Sequence, residues 1–379
     1  MGRNFSVLVT GGAGFVGSHL TDALVEKGHK VTIFDNLEYQ VHLSKKPEYL
    51  NKDAEFIQAD IRDLEMLTKA MLDKDIIFHQ AAAVGVGQSM YQIRKYTDVN
   101  STGGANLLDI AVNNHQIRDR LQKIIVASSM SIYGEGQYKC RNHGIVYPKL
   151  RPNRQLANKD WEIKCPFCFE PVDHMGTNEN KPLFPTSIYA ITKRDHEEMF
   201  LVTGRSYNIP TVALRYFNIY GSRQALSNPY TGVAAIFSSR ILNDASPVIY
   251  EDGEQSRDFV HVSDIVQANL LAMEKSTADY EMFNVGTGIN TSIRQVAEKL
   301  IEYLKPGSDL KPVIQNKFRE GDIRHCYADI EKITKLLGYK PKFTFSEGIS
   351  GLAEWVSSQT AVDGFEEARK ELESRGLTN

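Results

Sequence analysis

The sequence predicts an α/β protein: a doubly wound parallel sheet, a smaller α+β unit after it, and a cysteine-bearing excursion between the two. Three observations predict this. Strand-like and helix-like stretches alternate through the first 130 residues, which is the pattern of a parallel sheet with helical crossovers. A glycine-rich turn joins the first strand to the first helix. The chain of 379 residues is 42% hydrophobic and carries 36 aromatic residues, enough for two medium cores.

Taken in order, Val7–Thr10 reads as a strand, 14–27 as an amphipathic helix and Lys30–Asp35 as a second strand. Short strands are expected at Glu55–Ala59, Ile76–His79 and Ile124–Ser128. From Gly136 to about Pro185 the rhythm breaks into a polar, proline-containing stretch holding three of the four cysteines. Loops that long are uncommon inside a domain, so this reads as an insertion. A helix near Ser187–Ser206, a strand at Thr211–Phe217 and a helix at Ile293–Tyr303 follow. The expected division is a nucleotide-binding unit over 1–218, interrupted by the insertion at 136–185, and a substrate unit over 219–379, with interleaved segments. The charged tail 365–375 is expected to be a solvated helix.

Forty-four basic residues against 47 acidic ones leave a net charge of −3, which argues against a nucleic-acid binder. No run approaches the roughly 18 apolar residues of a membrane span. Four cysteines form no disulfide framework, and a cytoplasmic protein is expected.

The turn Thr10-Gly-Gly-Ala-Gly-Phe-Val-Gly17 spaces its glycines at 11, 14 and 17. Glycines there let the backbone approach a pyrophosphate, which the following helix N-terminus stabilises. With Phe15 and Val16 they form the expected phosphate site. Asp35 ends the second strand, where its carboxylate would accept ribose hydroxyls and repel a 2′-phosphate, favouring NAD over NADP. Asn36, Asp60, Ile61, Gln80, Ala81 and Ala82 stand at or just beyond strand ends, where open sheets bind ligands.

Tyr189-x-x-x-Lys193 lies on a predicted helix, so both side chains share a face. An ammonium beside the phenol is expected to lower its pKa and make Tyr189 a base near neutrality. The pattern recurs at Tyr91 and Lys95, where plain packing is the favoured reading. Position decides between them, because Ser129 ends a strand and can hydrogen-bond the oxygen that Tyr189 deprotonates.

Together these segments, with SSMSIYG at 128–134, RYFNIYG at 215–221, DGEQSRDFVHVSD at 252–264 and REGDIRH at 319–325, resemble the extended short-chain dehydrogenase/reductases. Within that fold they are similar to the NAD-dependent nucleotide-sugar epimerase/dehydratase family, over nearly the whole chain apart from the insertion. The resemblance implies Ser129, Tyr189 and Lys193 as catalytic residues, with Tyr189, Lys193 and Asn100 also toward NAD. It implies Ser129, Met130, Asn218, Arg257, Arg319 and Asp322 toward a nucleotide-diphosphate sugar, and a homodimer formed by helices near 103–114 and 187–206. Dehydratases of the family carry Asp and Glu where Met130 and Ser131 stand, which implies epimerisation at C4. Segments 81–93, 128–136 and 223–233 are most similar to the dTDP-L-rhamnose 4-epimerase branch; UDP-hexose, UDP-hexuronate or CDP-sugar epimerases, a 4-ketoreductase and an NAD-sensing scaffold are the alternatives.

The insertion holds Cys140-x-x-His143 and, 21 residues later, Cys165-x-x-Cys168. Two such pairs suit a structural zinc, which a polar excursion without its own core would need. A metal-free thiol pair, a redox C-x-x-C and His174 in place of His143 are the rival readings. Cys326 reads as a packing residue, and Lys139, Arg141, Lys149, Arg151 and Arg154 make the insertion locally basic.

Overall fold

The computed structural model describes residues 4–43, 45–359 and 361–378. In chain order its first nine strands are β1 (Ser6–Thr10), β2 (Lys30–Asp35), β3 (Glu55–Gln58), β4 (Ile76–His79), β5 (Lys123–Ser129), β6 (Gln137–Cys140), β7 (Gly144–Val146), β8 (Asp173–Met175) and β9 (Thr211–Tyr216). A seven-stranded sheet runs in the order Met282–Val285, β9, β5, β4, β1, β2, β3. Every pairing in it is parallel.

The alternation of side chains along each strand explains why the strands are apolar throughout. Val7 and Val9 of β1, with Ile125 and Ala127 of β5, pack toward Leu20, Leu24, Ile265 and Ala268. Leu8, Ile124 and Val126 point the other way, into Leu107, Ala111 and Phe200. One face is therefore covered by the helices Phe15–Glu26 and Val262–Glu274, the other by Gly103–Asn113 and Ile188–Tyr207. A sheet buried on both faces needs no polar alternation.

A separate core gathers Phe237, Ile241, Val296, Leu300, Ile349 and Leu352 from three further helices. The two cores do not divide at residue 218. After that point the chain returns to the main sheet with the helix Val262–Glu274, the strand Met282–Val285 and the helix Glu331–Leu337.

Two expectations are corrected here. The insertion has a small core of its own: β6 pairs antiparallel with β7 and β8 around Tyr138, Cys140, Val146, Ile163 and Cys165. The C-terminal helix Phe365–Ser374 is not wholly solvated, because Ala368 and Leu372 are only 7% and 8% exposed. Its apolar positions sit three and four residues apart, so one stripe packs while the charges face out. No helix among the described residues is long and apolar enough to cross a membrane.

Candidate active site

Parallel register brings the carboxyl ends of the strands to one edge. Thr10 lies beside Phe34 and His79, and Ser129 beside Tyr216. A cleft of about 660 Å³ runs along that edge and continues against the second core. This is where open parallel sheets take ligands.

The glycine turn leaves no room for side chains. A Cβ on Gly17 would lie 2.2 Å from the Gly11 carbonyl oxygen, and Gly11 itself has φ +68°. Helix Phe15–Glu26 starts with no side-chain cap and no acid in its first turn, so its free N–H groups suit a phosphate. Asp35 is buried, accepting the Ala13 N–H at 3.0 Å and the Leu37 N–H at 2.9 Å. Asp60 is clamped by Arg62 and by the Asn36 amide, and the Arg62 hydrogen bond holds its carboxyl near 2. Gln80 is fixed by Asn269 at 3.3 Å and by the Tyr216 hydroxyl at 3.2 Å. Ile61, Ala81 and Ala82 supply the remaining wall on this side. These residues fit a dinucleotide.

Asn100 departs from expectation, since it does not line the cleft. Fully buried, it accepts the Ala83 N–H at 2.7 Å and donates to the Ala83 carbonyl and the Thr192 hydroxyl. Its amide is spent on holding the cleft wall to the helix Ile188–Tyr207.

That helix carries Tyr189 and Lys193 to the cleft. Lys193 Nζ donates to the Ala127 carbonyl at 2.7 Å, and burial lowers its pKa to about 7. Tyr189 also departs from expectation. Burial raises its phenol, and the hydrogen bond with Ser129 offsets this only in part. Desolvation of a phenolate is the larger of the two effects. Ser129 in turn accepts from the Ser131 hydroxyl at 2.9 Å and its N–H at 3.2 Å. At the other Tyr-x-x-x-Lys, Tyr91 bonds the Tyr230 hydroxyl at 2.6 Å while Lys95 pairs with Glu38, so the two side chains serve different partners.

Across the cleft, Arg257 donates to three backbone carbonyls, those of Ser256, Ile323 and Arg324. It has no carboxylate partner among the described residues. Asn218 Oδ1 is buried with no hydrogen-bond partner. Arg319 pairs with Asp322 at 2.9 Å and lies over the Tyr250 ring. Met130 completes the wall beside Ser129.

Two family descriptions match the chain: NAD dependent epimerase/dehydratase over residues 7–156, and GDP-mannose 4,6 dehydratase over 169–352. The dTDP-L-rhamnose 4-epimerase of Burkholderia thailandensis is 32% identical over 357 residues, covering 93% of this chain and 95% of that protein. The chain belongs to the NAD-dependent epimerase/dehydratase family. Solved structures of the family agree. The UDP-glucose 4-epimerase of Thermotoga maritima with UDP-glucose superposes with a TM-score of 0.74 at 32% identity, over 93% of this chain and 98% of that one. The UDP-glucuronic acid 4-epimerase of Bacillus cereus, in complex with UDP-glucuronic acid and NAD, gives 0.75 at 26%, over 93% and 99%.

Within this family framework the sequence missed one feature of the cleft. Phe365, Ala368, Arg369 and Leu372 bring the C-terminal helix to the cleft mouth, and their apolar spacing was the available signal. The insertion brings the ligand atoms of Cys140, His143, Cys165 and Cys168 within 4.8 Å of one another. His174 is elsewhere, its ring 4.4 Å from that of His325. Cys326 is buried in the main core. Arg151 is no surface charge, being buried against Glu251.

Gly17→Val should abolish NAD binding while leaving the fold intact by circular dichroism, because the clash falls in the turn that meets the phosphates. Calorimetry with NAD checks it; binding within about tenfold of wild type would remove the turn from the cofactor site.

Proposed function

We propose that the protein is an NAD-dependent nucleotide-sugar 4-epimerase, with dTDP-L-rhamnose and its C4 epimer dTDP-6-deoxy-L-talose as the preferred pair. The observation that carries this reading is the arrangement at Ser129. Met130 and Ser131 follow it, and Ser131 donates to it, so no carboxylic acid stands there to drive water elimination. The likeness to the Burkholderia enzyme supports the sugar. The likeness to the Thermotoga and Bacillus enzymes favours UDP-glucose and UDP-glucuronate as the second reading.

In this reading Gly11, Gly14 and Gly17 face the pyrophosphate, Asp35 the ribose, and Asn36, Asp60 and Ile61 the adenine end. NAD when bound supplies reversible hydride acceptance from C4 of the sugar. The chain's own residues do the rest. Ser129 orients the 4-hydroxyl, and Tyr189 Oη takes its proton as C4 becomes a ketone; the keto sugar then turns its other face to the hydride, and Tyr189 returns the proton to the same oxygen. Hydride removed equals hydride returned, so no reductant is consumed. Arg257 and Arg319 suit a diphosphate because planar guanidinium groups donate in pairs. Asn218 Oδ1, buried and unpartnered, suits a substrate donor. A homodimer is supported by Ile191 and Val202, 50% and 61% exposed on the helix Ile188–Tyr207, and sedimentation tests it.

The cysteine cluster is proposed as a structural zinc site. Cys140 Sγ and Cys165 Sγ each lie 3.6 Å from His143 Nδ1, and Cys140 Sγ lies 3.7 Å from Cys168 Sγ. A tetrahedron with bonds of about 2.3 Å to sulfur and 2.0 Å to nitrogen has edges of that length. Four protein ligands leave no open position, so the metal has no part in the reaction.

With a panel of dTDP-L-rhamnose, UDP-glucose, UDP-glucuronate and CDP-hexoses, proton NMR should show a C4 epimer forming without added reductant. Tyr189→Phe should abolish it. Turnover that requires NADH would move the protein to the ketoreductases; NAD binding without turnover would make it a sensor.

The acid limb of kcat/KM should belong to Tyr189, which works only when deprotonated. Ser129→Ala removes the hydrogen bond that lowers the phenol, so the limb should move to higher pH and the neutral rate should drop about 100-fold or more. An unmoved limb would take Ser129 out of this role.

Elemental analysis should find about one zinc per chain. Cys165→Ser should release it and lower the thermal midpoint. Metal-free protein with a Cys165–Cys168 disulfide would overturn the assignment.

A further inference from the structure

We propose that the insertion is a positioning device for the sugar-nucleotide half of the cleft, acting through Arg151 and Glu162 on the segment 318–325. The proposal rests on the reading of Arg257, Arg319 and Asp322 as substrate-binding residues.

The orientation of Arg257 is set by backbone rather than by a counter-charge. Its guanidinium donates to the Ile323 carbonyl at 2.7 Å and the Arg324 carbonyl at 3.0 Å. Whatever fixes residues 322–324 therefore aims Arg257. That backbone is held from behind by a network of four acids and two arginines. Arg324, with a fully buried side chain, donates to Glu251 at 3.0 Å and to the two oxygens of Asp252 at 2.7 and 2.9 Å. Its outer edge is capped by Glu162, which comes from the insertion and bonds Nε at 3.1 Å. The N–H groups of Arg324 and His325 each donate at 2.8 Å to a different oxygen of Glu135.

Arg151 closes the arrangement from the insertion side. It bonds both oxygens of Glu251, at 2.8 and 2.9 Å, and reaches the Asp322 carbonyl at 3.3 Å. The Trp161 carbonyl steadies it at 2.8 Å. Trp161 and Leu156 then pack on Phe318, directly before Arg319. One insertion thus touches the substrate segment through a carbonyl, an ion pair and an apolar contact, all on the side of the cleft away from the glycine turn. A buried guanidinium and carboxylate so matched permit one geometry, because any shift leaves a charge unpaired in a medium that penalises it.

The test uses the full-length protein with Arg151→Leu, the conservative Arg151→Lys, and Glu162→Gln, whose side chain is 59% exposed. Calorimetry measures dTDP, UDP and NAD binding; amide exchange follows residues 318–326; turnover separates KM from kcat. The expected result is about tenfold weaker nucleotide binding in Arg151→Leu and a smaller loss in Glu162→Gln. Arg151→Lys should recover part of it. KM should rise with kcat and NAD affinity nearly unchanged, and exchange at 318–326 should quicken. Wild-type nucleotide affinity with unchanged exchange would overturn the proposal, as would a parallel loss of NAD affinity, which marks general destabilisation. If wild-type protein binds neither dTDP nor UDP, the reading of the substrate site fails, and the exchange data alone decide whether the insertion positions the segment.

Discussion

The working edge of the molecule depends on one buried ion pair, Glu197 with Arg215. Glu197 follows Tyr189 and Lys193 on the same helix face, at two successive steps of four residues. Arg215 belongs to β9 and faces Ser128 of β5 across the register. The guanidinium donates to Glu197 at 2.5–3.1 Å, and the Ser128 hydroxyl donates to the same carboxylate at 2.7 Å. Arg215 also reaches the Tyr133 hydroxyl, which donates to Asn284 on the next strand segment. Glu197 therefore ties the helix that carries the tyrosine to β9 through Arg215, and to β5, the strand that carries Ser129, through Ser128. Leaving either charge alone inside the protein costs about 3–5 kcal/mol, which makes the relative placement of Ser129 and Tyr189 hard to relax.

Buried cations are treated in two ways, and the difference follows the chemistry. Arg215 and Arg324 each face carboxylates and are held charged at every accessible pH. Lys193 is as deeply buried but meets only a carbonyl, and burial brings it to about 7. A carboxylate partner would raise that value and lock the proton in place. Where the fold needs rigidity it pairs opposite charges; at the cleft the lysine is left with a neutral acceptor. Tyr189 fits the same logic, since its wall raises the phenol and a neutral hydroxyl, Ser129, draws it back.

The sequence made legible whatever depends on neighbours in the chain. The glycines at 11, 14 and 17, the strand ending in Asp35 and the helix carrying Tyr189 and Lys193 are short-range patterns, and each stands where its period and spacing place it. What escaped depends on partners far away. Asn100 bonds Thr192, 92 residues on, so nothing around it in the chain says that its amide is already used. Arg151 counted only toward the insertion's local basic charge, because its partner Glu251 is 100 residues away. The Tyr189 phenol was misjudged for a related reason: helix spacing shows a lysine nearby, whereas burial, the larger effect, is a property of the whole fold. The insertion's core escaped because Ile163 and Val146 are too few to give a period.

The location of that insertion is itself constrained. It leaves the chain after β5 and returns just before Ile188, so both ends lie at the carboxyl edge of the sheet, where the cleft is. Its neck is closed, with the Phe184 N–H donating to the Tyr133 carbonyl at 3.3 Å. A Cβ on Gly134 would fall 2.2 Å from the Phe184 carbonyl oxygen, so the two stems pass as closely as backbones can. Loop closure depends weakly on length once the ends are fixed, and about 50 residues can be accommodated there without disturbing the strand or the helix. The β5–β9 register lies on the sheet side of this neck, and the returning end of the insertion adds to it, since Arg215 also donates to the Glu179 carbonyl at 3.0 Å. The rest of the insertion folds on its own small core and leans on the surface around the segment 318–325, through Arg151 on Glu251 and Trp161 on Phe318. An insertion at this point in the chain can therefore reach the substrate half of the cleft while its returning stem stays tied to Arg215 of the main sheet.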